Sequence, residues 1–128
     1  MIFINDIYDM KRFLLKKLKR QHVFWSYDAS KISFRNIPDE VLITKTLIHL
    51  DLSDINLLFM YYKPNFIKKV WREQMAISGE YLWILNRFFA WYYFGIKKPD
   101  RYLKTIETKH INKNNGKTRG AYNAHVNM

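Results

Sequence analysis

IPDEVLITKTLIHLDLSDINLLFMYYKPNFIKKVWREQM, residues 37–75, reads as three short helices joined by tight turns. Pro38 suits a first helical turn, where its missing N–H would have no partner, and Asp39 and Glu40 complement the positive end of the dipole. A helix is predicted from Pro38 to about Leu50. Its apolar residues Val41, Leu42, Ile43, Leu47, Ile48 and Leu50 spread round most of the circumference, so it packs on more than one side. Ser53 is placed to cap a helix from Asp54 to about Tyr62, which aligns Ile55, Leu58, Phe59 and Tyr62. Lys63-Pro64-Asn65 ends it, because Pro64 drives Lys63 out of the helical region and Asn65 can cap the next helix. That helix, Phe66 to Ala76, has the cleanest pattern. Phe66, Ile67, Val70, Trp71 and Met75 share one half of the wheel, and Lys68, Lys69 and Arg72 occupy an arc of about 100° on the other.

Working outward, a first helix from about Asp6 to Arg20 sets Ile7, Met10, Leu14 and Leu18 in one stripe, with Arg12, Lys16, Lys19 and Arg20 opposite. Residues 21–37 hold no sustained period. Val23, Phe24, Trp25 and Tyr27 read as an aromatic plug there, with Asp28, Ser30 and Ser33 as turn formers. Ser78-Gly79 separates the basic helix from a fifth, Glu80 to Phe94, which closes at Gly95. From residue 104 on, few large apolar groups remain to offset the entropy of ordering, so a disordered basic tail is expected. The predicted fold is all-α: about five helices with a helix-turn-helix-like centre. The expected division is an amphipathic basic N-terminal helix at 1–22, a compact helical domain at 23–103 and the tail at 104–128.

The chain has 128 residues, 48% of them hydrophobic, enough for one core. Its formal net charge of +11 is unevenly spread. Residues 1–22 carry six basic and two acidic side chains, and residues 97–128 carry eight and two, whereas residues 23–62 carry three and five. Both ends therefore favour anionic partners. The absence of cysteine excludes a disulfide scaffold and thiolate metal sites. The start of the chain lacks the order of a secretory signal, and the longest apolar run, Tyr81 to Phe94, is too short for a membrane span and is broken by Asn86 and Arg87. A cytoplasmic protein that does not engage a membrane is expected.

Motifs for catalysis are not found. The four glycines are isolated and build no phosphate loop. His49, Asp51 and Asp54 fall near one turn, but capping accounts for Asp54 and turn formation for Asp51, and His22, His110 and His125 are scattered. No enzyme, cofactor or metal is expected. Arg87, inside an apolar helix, must either reach solvent or meet an acid such as Glu80, Asp51 or Asp54.

Two surfaces are candidates for binding. If 54–76 is a helix-turn-helix, Asn65, Lys68, Lys69 and Arg72 form the face turned to DNA, with Asn and Arg available to base edges and the lysines to phosphates. The fifth helix has more aromatic surface than so small a domain encloses. Trp83, Arg87 and Trp91 on it are of the residue types that dominate protein interfaces.

The phrases Phe24-Trp25-Ser26-Tyr27-Asp28, Pro38-Asp39-Glu40-Val41-Leu42-Ile43, Leu52-Ser53-Asp54-Ile55 with Leu58-Phe59, and Ile67-Lys68-Lys69-Val70-Trp71 resemble a family of short uncharacterised bacterial proteins. Members of that family are often encoded beside abortive-infection nucleotidyltransferase toxins. The resemblance covers roughly residues 24–76. It implies an antitoxin-like or accessory role with a nucleotidyltransferase-type toxin as protein partner. The alternative is a transcriptional regulator whose reading helix lies near Asn65 to Ala76.

Overall fold

The computed structural model describes residues 4–24 and 29–126, with residues 29, 79, 80 and 114–126 described as backbone alone. Among these, every regular element is helical: α1 (Ile7–Arg20), α2 (Asp39–His49), α3 (Leu52–Tyr61), α4 (Pro64–Gln74), α5 (Trp83–Tyr92) and α6 (Pro99–Val126), with 3-10 segments at Ala29–Lys31 and Ala76–Leu82. Among the described residues no helix is long and apolar enough to cross a membrane. Two compact units, Met1–Trp71 and Arg72–Met128, divide within α4.

In the first unit α1, α2 and α3 pack on one another. Asp6 caps α1, its carboxylate accepting the Asp9 N–H at 2.8 Å. The predicted stripe is the buried one: Met10, Leu14 and Leu18 are enclosed, joined by Leu15. At the other end the N–H of His22 returns to the Lys19 carbonyl and that of Val23 to Leu18, the two bonds of a Schellman stop. The residue that must turn left-handed there is His22, at φ 56°, where glycine is usual. Three lysines of α1 then reach inward. Lys11 pairs with Asp39 on α2 at 2.9 Å, Lys17 with Asp54 on α3 at 2.8 Å, and the Lys19 ammonium donates to the Ile32 carbonyl.

The helix starts correct the sequence reading in detail. Asp51, not Ser53, caps α3: its Oδ1 accepts the Asp54 N–H at 3.2 Å and the Ser53 hydroxyl at 2.7 Å. Asp54 is thereby released from capping to meet Lys17. Pro64 opens α4 instead of closing a turn, so Asn65 lies inside the helix; Lys63 supplies the carbonyl that the Phe66 and Ile67 N–H groups need. Ile67, Val70, Trp71 and Met75 are buried, as their spacing predicts. The Tyr62 hydroxyl, just after α3, donates to Asp39 at 2.6 Å. Burial works to raise the Asp39 carboxyl, but this bond and Lys11 outweigh it and hold it below its ordinary range. The same burial and the Asp39 charge raise the Tyr62 phenol. Of the aromatic plug, Phe24 is buried; Trp25 and Tyr27 lie outside the described residues.

In the second unit α5, α6 and the Ala76–Leu82 segment pack together. The fifth helix is shorter than predicted because the chain around Ser78-Gly79 winds as a 3-10 segment and α5 begins only at Trp83. Asn86, which interrupts the apolar run in sequence, is buried, and its amide donates to the Met75 carbonyl at 3.0 Å. Gly95, at φ 61°, turns the chain out of α5, and the Ile96 N–H returns to Ala90 at 2.9 Å. The expected disordered tail differs most. The chain from Pro99 is helical past residue 104 and on to Val126. Leu103 is buried and Ile106 and His110 are half-buried, on one side of α6, so a tertiary contact holds a segment whose composition alone predicts none.

Candidate functional site

The exposed face of α5 is apolar. Tyr81 is 87% exposed, Ile84 83% and Trp91 62%. Helical spacing places Ile84, Arg87, Phe88 and Trp91 on one stripe, while Asn86, Phe89 and Ala90 point to the core. Trp83, Arg87 and Trp91 recur at four-residue intervals. Trp83, half-buried, sits at the edge of the stripe; Arg87 and Trp91 stand in its middle. The rings order one another: Phe88 stacks on Tyr92 at 5.1 Å, and Tyr92 meets the edge of Tyr93 at 4.9 Å. Burial, and then Tyr92, raise the Tyr93 phenol. A surface already fixed in this way loses little entropy when it is covered.

Arg87 reaches solvent and also meets an acid, though none of those expected. Its Nε lies 2.8 Å from Asp100 in the first turn of α6. Both partners are exposed, so the pair contributes little stability. It does hold the guanidinium at the centre of the aromatic face.

On α4, Asn65, Lys69 and Arg72 are exposed and Lys68 is half-buried. No carboxylate among the described residues pairs with the three cations. Arg72 opens the second unit and, with Glu73 beside it, lines a cleft of about 520 Å³ together with Tyr102, Lys109, His110 and Lys113 of α6. The two lysines are partners that sequence reasoning missed, since it assigned them to a disordered tail.

His49, Asp51 and Asp54 do come together, beside Lys17 and Arg20, round a cleft of about 430 Å³. Each acid there already has a structural task. Asp51 caps α3, and the Ser53 hydroxyl with the Asp54 N–H lowers its carboxyl to about 2. Asp54 pairs with Lys17. Burial and the charge of Lys45 lower the His49 imidazole. Among the described residues no group of three or more acidic or histidine side chains is arranged to hold a metal ion.

No family model, curated protein or solved structure matches this chain.

Proposed function

We propose that this chain is a non-enzymatic binding protein that docks on a partner protein through the outer face of α5, in an antitoxin-like role. The observation that carries the reading is the exposure of Ile84 and Trp91 around Arg87 on α5, with Tyr81 exposed in the 3-10 segment just before it. A large apolar side chain left in water forgoes about 1.5–3 kcal/mol that burial would return. A face of this composition, Trp and Tyr about an Arg, is that of an interface centre. The net charge of +11 favours an acidic partner, and the family resemblance supplies its class, a nucleotidyltransferase-type toxin.

The test is co-purification of such a toxin with the tagged full chain after nuclease treatment. Trp91→Ala removes roughly 2 kcal/mol and weakens capture about 30-fold, while Lys69→Gln with Arg72→Gln leaves it unchanged. Capture indifferent to Ile84→Ser and Trp91→Ala overturns the reading.

A second reading, a nucleic-acid-binding regulator, is favoured by cations on α4 that have no ion pair among the described residues and by the cleft that Arg72 lines with Lys109 and Lys113, alongside Glu73. On that reading Arg72→Gln relaxes sequence specificity, while Lys69→Gln weakens duplex DNA binding uniformly across sequences and lowers the salt slope by about 1.

A further inference from the structure

The outward side of α1 forms one wall of a cleft of about 590 Å³, whose other wall is the segment 30–34. Arg12, Lys16, Lys19 and Arg20 line it from the helix, and Ser30, Ser33 and Phe34 from the segment; among the described residues no carboxylate does. The four cations fall within about 100° of the helix wheel and run about 12 Å along it, more than one phosphate group spans. Leu15 and Ile32 supply an apolar floor.

The second wall is built, not draped. The Ser33 N–H donates to the Asn36 side chain at 2.8 Å, and the Asn36 amide donates to the Lys31 carbonyl at 2.7 Å. Lys19, bonded to the Ile32 carbonyl, ties this wall to α1. Arg12 lies over the Phe34 ring, 4.5 Å from its centroid, with Asp9 only at 3.9 Å. Lys16 and Arg20 have no hydrogen-bond or ion-pair partner among the described residues. Arg20 also borders the neighbouring cleft that contains Asp51 and Asp54, so it marks the end of the row.

We propose that this cleft binds the phosphodiester backbone of a single-stranded nucleic acid, with Lys16 and Arg20 on successive phosphates and Arg12, steadied by Phe34, against a base. A concave row of cations ending in an aromatic ring is what single strands use: charge tracks the backbone and a flat group takes the base. The guanidinium fork of Arg20 suits a phosphate better than a lone carboxylate needs. A base set against Arg12 and Phe34 must be unstacked, which a single strand offers and a duplex does not. A membrane surface is disfavoured because the cations line a recess, beside which the exposed Tyr8 ring packs edge-on against Phe34 at 6.4 Å. This site is distinct from the α5 face and does not depend on it.

The experiment uses the full chain and fluorescently labelled single strands of about twelve nucleotides, RNA and DNA, read by anisotropy across a range of salt. Lys16→Gln with Arg20→Gln replaces two exposed side chains and leaves the helical content unchanged by circular dichroism. Two lost contacts lower the log–log salt slope by about 1.4, which at 0.1 M salt is an affinity loss of roughly 25-fold. Phe34→Leu weakens binding severalfold with the slope unchanged, since it removes a flat surface and no charge. Lys69→Gln with Arg72→Gln changes neither quantity. An unaltered slope in the Lys16 and Arg20 variant overturns the proposal, as does equal affinity for duplex. Displacement by inorganic polyphosphate at equal phosphate concentration, with Phe34→Leu silent, also overturns it, because the site would then take any polyanion.

Discussion

Replacing Lys17 by Met keeps the length of the side chain and removes its charge. In the folded chain that ammonium lies 2.8 Å from Asp54, which is 3% exposed, and 4.8 Å from the centre of the Phe13 ring. Removing one partner of a buried pair costs about 3–5 kcal/mol, because the remaining charge has neither water nor a counter-charge. Lys17 itself is 33% exposed, so water reaches its end of the pair, and the expected cost falls to about 2–3 kcal/mol. For a chain of this size each kcal/mol shifts the melting temperature by about 4 °C, so a fall of about 8–12 °C is expected. Lys17→Met combined with Asp54→Leu removes both charges and returns stability to within about 1 kcal/mol of the parent. Urea titration gives the stabilities of the parent, Lys17→Met and the double variant, and hydrogen exchange of the α1 and α3 amides localises the effect to the first unit. If Lys17→Met alone costs less than about 0.5 kcal/mol, Asp54 is hydrated and its place in the core is not the one described.

His22→Gly relieves the left-handed position that ends α1 and raises stability by about 0.5–1 kcal/mol in the same titration, net of the added freedom of the unfolded chain; a loss would mean that the imidazole makes contacts worth more than the strain. Asn86→Leu removes one of the two donors to the Met75 carbonyl, which keeps the Ser78 N–H at 2.9 Å, and lowers stability by about 0.5–1.5 kcal/mol, read as a shift of the urea midpoint. Asp51, held at about 2 against an ordinary 3.8, favours the folded state fully above pH 4, and that contribution is lost as the pH falls through 2. Asp51→Asn still caps α3 but does not titrate, so its urea midpoint varies less with pH between 4 and 2 than that of the parent.

The stripes of α1 and α4 were legible because each is a run of apolar residues at helical spacing with charges opposite, and burial follows that spacing at Met10, Leu14, Leu18, Ile67, Val70 and Trp71. The start of α3 was less so. Asp51, Ser53 and Asp54 are all competent caps, and what decides between them is Lys17, thirty-seven residues upstream of Asp54, which takes Asp54 for itself. The order of α6 was hidden for a related reason: Leu103 and Ile106 make a short stripe that helix propensity cannot sustain without the Ala76–Leu82 segment to pack on. Among candidate site residues, Trp91 is not singled out by its wheel, since the fifth helix is apolar on all sides, whereas the exposure of Lys69 and Arg72 could be read from theirs. The Asp100 partner of Arg87 and the second wall of the α1 cleft could not, since one lies across a turn and the other in a stretch without period.

The charge of this chain is therefore not one quantity. Of the six cations on α1, Lys11, Lys17 and Lys19 are engaged by Asp39, Asp54 and the Ile32 carbonyl and fasten the helix to its unit. Arg12, Lys16 and Arg20 face outward, where among the described residues only Asp9, 3.9 Å from Arg12, opposes them. In the second unit Arg87 is likewise met by Asp100, whereas Arg72, Lys109 and Lys113 share a cleft without an ion pair among the described residues. A cation already paired within the protein is not free to neutralise a phosphate and release the counterions condensed there, so it adds little to the salt dependence of binding. The salt slope of any nucleic-acid complex should thus count the outward residues, and it should be insensitive to Lys11 and Lys17 even where their loss loosens the fold. Stability and binding are in this way separable by position along a single helix, although composition presents all six cations as equivalent.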